Sequence, residues 1–140
     1  MQFQRRAVGP KDVLIDIEYA GVCHSDTHIA HSEWFETPYH RVPGHEIVDK
    51  VSAVGAQVSK FKEGDYAGVG CIVDAYGTCE NCLADREQNR LKGTTFTYAS
   101  PDKVLGGMTS GGYSERIVRG RAFCDPHAFG ANLAAMAPLL

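Results

Sequence analysis

The segment Asp12–Tyr19, DVLIDIEY, sets the strongest limit on the fold. Val13, Ile15 and Ile17 alternate with Leu14, Asp16 and Glu18, the period of two that puts alternate side chains on opposite faces of a strand. Gly9-Pro10 marks a turn before it. The pattern recurs in short runs. His45–Val58 is rich in Val and Ile and is broken by Gly55; Phe61–Val73 carries a Gly64-Asp65 turn between strand segments; Gly112–Val118 reads as one more short strand. With 15 Gly and 6 Pro to punctuate these runs, the chain is expected to be mainly β, an irregular barrel or sandwich. Helix is sparse. Ser25–His31 is expected to form one or two turns capped by Ser25 or Asp26. Asn132–Leu140 reads as a helix start with Pro138 awkwardly placed inside it. Residues 86–112 are polar and glycine-rich and are expected to form a long loop.

Charge narrows the possible partners. Fourteen Lys and Arg against 17 Asp and Glu give a net charge of -3, and the basic residues are scattered. Nucleic-acid and membrane-surface binding both need a basic patch, so neither is expected. The longest apolar run, Leu133–Leu140, is too short to span a bilayer, and Met1 leads into polar residues rather than a signal peptide. Five unevenly placed cysteines fit metal ligands or free thiols better than a disulfide framework, which implies a cytoplasmic setting.

Metal-capable side chains are concentrated in residues 21–46, GVCHSDTHIAHSEWFETPYHRVPGHE, which hold five of the six histidines. Cys23 and His45 are the candidate ligand pair, since thiolate and imidazole together suit zinc at about 2.3 Å and about 2.0 Å. GVCHSD followed by VPGHE resembles the zinc-dependent medium-chain alcohol dehydrogenases, in particular the cinnamyl-alcohol-dehydrogenase-like branch. VSAVGAQVSKFKEGDYAGVGC, GGYSERIV and LAAMAPLL carry the resemblance along nearly the whole chain.

The resemblance implies a GroES-like irregular β-barrel with a few short helices, covering residues 1–140 as a partial catalytic domain truncated at both ends. It implies that Cys23 and His45 are catalytic zinc ligands with Glu46 beside the metal. It implies that Ser25 and His28 relay the substrate proton, that His24 faces the cofactor pyrophosphate, and that Trp34 walls the substrate pocket. The substrates implied are small alcohols and aldehydes, and the cofactor NADP. His31, His40 and His127 are expected at the surface.

Three features depart from the family pattern. Its structural zinc lobe has the spacing C-x2-C-x2-C-x7-C, but here only Cys79 and Cys82 remain, with Tyr76 and Arg90 at the outer positions. Such sites are closed by a full set of N or S ligands, and Arg stays protonated and repels a dication, so a degenerate lobe is expected. Asp49 stands where the signature places Gly, and His40 where proline is common. No G-x-G-x-x-G dinucleotide fingerprint occurs, and the family's third catalytic cysteine follows the APLL segment. The expectation is therefore a catalytic-domain fragment, inactive alone and prone to self-association through uncovered edges and the terminal apolar segment. The competing readings are a non-catalytic metal- or partner-binding remnant, and a zinc-free quinone-reductase relative. Cys23 and His45 argue against the second.

Overall fold

The computed structural model describes residues 2–37, 39–75, 79–84, 86, 89, 93–127 and 132–140. In chain order its strands are β1 (Asp12–Gly21), β2 (Glu46–Val54), β3 (Tyr66–Val69), β4 (Ile72–Ala75), β5 (Thr94–Phe96), β6 (Arg116–Gly120) and β7 (Asp125–His127). The helices are short: α1 (His24–Ala30), α2 (Glu80–Leu83) and α3 (Leu133–Met136), with 3-10 turns at Arg121–Phe123 and Ala137–Leu139. The fold is mainly β, as the alternation implies. Five strands form an antiparallel sheet in the order β6-β1-β2-β3-β7, and β4 and β5 pair as a separate ribbon.

The inward residues of the sheet make the core. Val13, Ile15, Ile47, Ala67, Val69 and Ile117 are completely buried and pack with Val51, Phe61, Val73 and Cys124. Burying each such aliphatic side chain contributes roughly 1.5 to 3 kcal/mol, so the alternation in β1 is itself a large part of what holds the sheet. β1 is interrupted where its pairing with β2 shifts between Asp16 and Tyr19. There the carboxylate of Asp49, only 1% exposed, accepts the amides of Glu18 and Tyr19, the latter at 2.9 Å. The residue that departs from the family signature thus closes a bulge in the neighbouring strand.

Several expectations are corrected. Residues 86–112 are not all loop, because Thr94–Phe96 pairs with β4 (Ile72↔Phe96), consistent with its β-branched and aromatic residues. The Gly64 turn precedes β3 rather than dividing two strands; the break falls at Gly70. The α1 cap is Cys23, not Ser25 or Asp26; Asp26 supplies the reciprocal half, its Oδ2 accepting the Cys23 amide at 3.1 Å. The strand expected over Gly112–Val118 begins only at Arg116, and residues 111–113 are not strand. They bond to 42–44 instead, through Gly111 N to Val42 O (2.6 Å), Gly112 N to Gly44 O (2.8 Å) and Tyr113 N to Pro43 O (3.0 Å).

The terminal segment is better covered than its composition suggests. Asn132 caps α3 by accepting the Ala135 amide, and Pro138 sits in the following 3-10 turn rather than inside a helix. This turn packs on β1 and β2. Ala137 is buried and Leu133, Met136 and Leu140 are partly covered, while Leu139 remains 80% exposed. Among the described residues no helix is long and apolar enough to cross a membrane.

Candidate metal and substrate site

Strand register assembles the site. Gly21 at the end of β1 pairs with Glu46 at the start of β2. Cys23, two residues beyond that pair, therefore faces His45 and Glu46, and the ligand-capable atoms of the three lie within 4.8 Å of one another. Gly21 is required here: a Cβ at that position would stand 2.2 Å from a Glu46 carboxylate oxygen. The next constraint is Gly44, at φ +97°, where a Cβ would also strike the Tyr113 ring at 2.8 Å. Only glycine turns the chain into His45 at that point.

One buried carboxylate braces the cluster from behind. Asp26 Oδ1 accepts the Gly44 amide at 3.0 Å; Oδ2 accepts the Cys23 amide at 3.1 Å and the Tyr113 hydroxyl at 2.6 Å. Tyr98 stacks on the His45 ring at 5.8 Å between centroids, and its hydroxyl adds to the influences that lower the Asp26 pKa. Burial by itself would raise the Asp26 pKa, but the two hydroxyls and two amides outweigh it and hold Asp26 below the ordinary carboxylate range. Burial, followed by the hydrogen bond to Asp26, pushes both tyrosines above their ordinary values. At neutral pH the unit is a carboxylate held by two neutral phenols. It fixes the backbone on both sides of the cluster.

The sequence reading missed Asp26, Tyr98 and Tyr113. Asp26 carried a usable signal, since it stands three residues after Cys23, the spacing of a capping box. The tyrosines carried none.

The remaining candidates lie along and beyond α1. Ser25 Oγ is 3.1 Å from Cys23 Sγ. His28 Nδ1 bonds the Glu33 carboxylate, and His31 Nδ1 lies 3.6 Å from it, which lowers the Glu33 pKa, with the His28 hydrogen bond the leading cause. The His28 ring stacks on Trp34 at 4.8 Å and lies 4.6 Å from His24. Trp34 is 58% exposed, and His24, His31 and His40 are also exposed. Among the described residues no hydrogen bond joins Ser25 directly to His28. Cys79 and Cys82 lie apart from this cluster, their sulfurs 3.2 Å from each other. Tyr76, Arg90 and the His127 side chain fall outside the described residues.

Zinc fits the donor set. A thiol, an imidazole and a carboxylate of suitable chemistry converge. Glu46 Oε2 is buried without a hydrogen-bond partner. An orphaned carboxylate oxygen of this kind is costly unless a cation or donor meets it.

Comparison with known proteins decides the family. Residues 9–126 match the family model of the alcohol dehydrogenase GroES-like domain. The chain belongs to that family. Among relatives of this GroES-like domain, the aldehyde reductase YahK of Escherichia coli is 50% identical over all of the chain and 40% of its own length. Mannitol dehydrogenase of Petroselinum crispum is 46% identical over 99% of the chain and 41% of its own length. The crystal structure of the Helicobacter pylori CAD complexed with NADP(H) superposes with a TM-score of 0.92 at 47% identity, covering 99% of this chain and 40% of that one. The GroES-like domain described here thus spans well under half the length of these relatives.

Proposed function

We propose that this chain provides the zinc-holding, substrate-binding half of an NADP-linked alcohol dehydrogenase for small primary alcohols and aldehydes. The observation that carries the reading is the convergence of Cys23, His45 and Glu46 with one carboxylate oxygen left without a partner. The similarity to an aldehyde reductase and to an NADP(H)-bound structure supports the choice of substrate class and cofactor.

Cys23 and His45 would hold the ion through sulfur and nitrogen, and the Glu46 carboxylate would offer an oxygen as a third contact. Bound there, zinc supplies Lewis acidity that lowers the pKa of an alcohol oxygen. Ser25, beside Cys23, accepts the alcohol proton as its own proton passes towards His28 through a bridging water or hydroxyl, since the two side chains share no direct hydrogen bond. The Glu33 carboxylate orients the His28 ring and steadies it when protonated. Trp34, stacked on His28, walls the substrate's carbon body, and His24 at the first turn of α1 faces the cofactor's pyrophosphate. The nicotinamide, which takes the hydride, needs a dinucleotide-binding segment with the fingerprint these 140 residues lack. The chain alone is therefore expected not to turn over alcohol.

Cobalt titration tests the reading. A thiolate-to-metal absorption band that saturates at one ion per chain, and is lost in Cys23→Ser, supports it. Absence of that band in the folded wild type overturns it. Aldehyde reduction with NADPH, measured after covalent joining to a dinucleotide-binding unit, separates an enzyme half from a metal-binding remnant.

A further inference from the structure

A second polar site lies away from the cluster. A cavity of about 570 Å³ is lined by the N-terminal segment, the 102–110 loop and β6; Cys23, His45 and Glu46 take no part in it. Four cationic side chains line it: Arg5, Arg6, Lys103 and Arg119. Two are neutralised. Arg6 pairs with Asp12 at 2.7 Å and Lys103 with Asp74 at 2.9 Å. The other two are not: among the described residues no carboxylate lies within ion-pair distance of Arg5 or Arg119.

These two guanidiniums are held only by neutral groups. Arg5 donates to the carbonyls of Arg116, Ser110 and Gly111 and to Ser114 Oγ. Arg119, only 8% exposed, donates to the carbonyls of Val118, Thr97 and Ser110. Both reach the same oxygen, Ser110 O, at 2.6 and 3.2 Å, so two like charges crowd one acceptor. Arg119 Nε is buried with no partner at all. Burial, chiefly, pulls Arg5 down to about 10, and burial together with Arg5 and Arg6 pulls Arg119 down to about 9. Both remain cations at neutral pH. Buried charges are ordinarily paired, and these face a cavity of ligand-binding size. Asp102, which also lines the cavity, partly offsets both charges from beyond ion-pair distance, while its Oδ1 accepts the Val104 and Leu105 amides.

The lining also holds the carboxylates of Asp12, Asp74 and Asp102 and several polar residues, and its large apolar side chains, Phe3, Val104, Leu105 and Met108, gather at the N-terminal segment and the 104–108 loop. From this juxtaposition we infer that the cavity is a binding site for a monocarboxylate with an apolar body, its carboxylate on Arg5 and Arg119 and its body against Phe3 and the 104–108 loop. A carboxylate suits paired guanidiniums through charge-assisted, planar hydrogen bonds. The site is independent of the metal and of the proposed reaction.

The test is calorimetric titration of the chelator-treated, zinc-free chain with sodium benzoate at constant ionic strength, so that a carboxylate cannot register through the metal. Benzyl alcohol is the neutral control and inorganic phosphate the control for charge without an apolar body. Saturable benzoate binding that exceeds both controls is expected. Arg119→Met and, separately, Arg5→Gln should each weaken it about tenfold or more, as loss of a hydrogen bond to a charged group implies. Should Arg119→Met fail to fold, Arg5→Gln together with Arg119→Lys, which keeps the charge but not the planar fork, decides the matter. Benzoate binding no tighter than benzyl alcohol, or unchanged in the variants, overturns the assignment; so does phosphate binding more tightly than benzoate.

Discussion

Asp26 and Tyr113, 87 residues apart, share a 2.6 Å hydrogen bond, and through it the helix that begins after Cys23 is tied to the segment that lies against Gly44. Neither residue is a candidate ligand, yet both hold the backbone on which the candidate ligands Cys23 and His45 sit. Tyr113→Phe should weaken zinc affinity about 10- to 100-fold, the usual cost of losing an outer partner of a metal site. It should also cost about 1 to 2 kcal/mol of stability, because the Asp26 carboxylate loses a donor. Competition titration with a chromophoric chelator reads the first effect and urea denaturation the second. Unchanged zinc affinity would mean that the brace does not position the ligands.

Metal content should not exceed one zinc per chain. Cys23→Ser and His45→Ala should each abolish it, and Cys79→Ser should leave it intact, because the second lobe offers only Cys79 and Cys82 of the four-cysteine pattern. Chelator treatment should lower the melting temperature of the wild type but not of Cys23→Ser, since an ion that binds only the folded state stabilises it. Elemental analysis finding two ions per chain would contradict this.

Asp49 should be essential to β1. Its carboxylate takes the amides of Glu18 and Tyr19 and, at 2.9 Å, that of Lys50. Asp49→Gly installs the residue that the resemblance implies but leaves the bulge amides without their acceptor, and should destabilise the chain by about 2 to 4 kcal/mol. Asp49→Asn keeps an acceptor oxygen and should cost less. Hydrogen exchange at Glu18 and Tyr19 should rise in the glycine variant; exchange as slow as in the wild type would show that other groups satisfy the bulge.

Cys124 is completely buried, and burial raises its thiol from 9.0 to about 12. Below pH about 9 the thiol is neutral in both folded and unfolded chains and contributes nothing to pH dependence. Between about 9 and about 12 the folded chain keeps a proton that the unfolded chain loses, so stability falls as pH rises, by at most about 1.4 kcal/mol per pH unit. Tyr98 and Tyr113, also raised, add to the fall from about pH 10. Cys124→Ala should flatten the first part of the decline in denaturation curves. Alkylation of the native chain should label the exposed Cys71 and spare Cys124.

The sheet was legible in the sequence because its signal is local. Val13 and Ile15 announce their burial by a period of two in a β-branched run flanked by Asp12 and Asp16, and each has no exposure in the fold. β5 was not legible, because Thr94–Phe96 is too short to show a period and lies in a polar, glycine-rich stretch. Cys23, His45 and Glu46 were named from a resemblance, and the register of Gly21 with Glu46 is the physical reason that they meet. Of the Asp26 brace only the capping-box spacing from Cys23 is legible, since Tyr98 and Tyr113 acquire their meaning only from contacts between distant segments. Asp49 was noticed as an intrusion, while its partners, the Glu18 and Tyr19 amides, depend on a bulge that no pattern in β1 displays. Nor does sequence show that two arginines converge on Ser110 O.

The position of β1 has a consequence for the order of events during synthesis. It precedes the other described strands in the chain, yet it lies inside the sheet, and its outer neighbour runs from Arg116 to Gly120, with Asp12 facing Gly120. The β1–β2 pair can form as soon as Val54 is available, which brings Cys23, His45 and Glu46 together early. Tyr98 and Tyr113 arrive much later, and the flank of β1 stays open until β6 is made. Pairing across so long a separation is slow. A nascent chain therefore passes through an interval in which the ligands are gathered but unbraced, so an ion that arrives then meets a looser and less selective cradle than the finished protein offers.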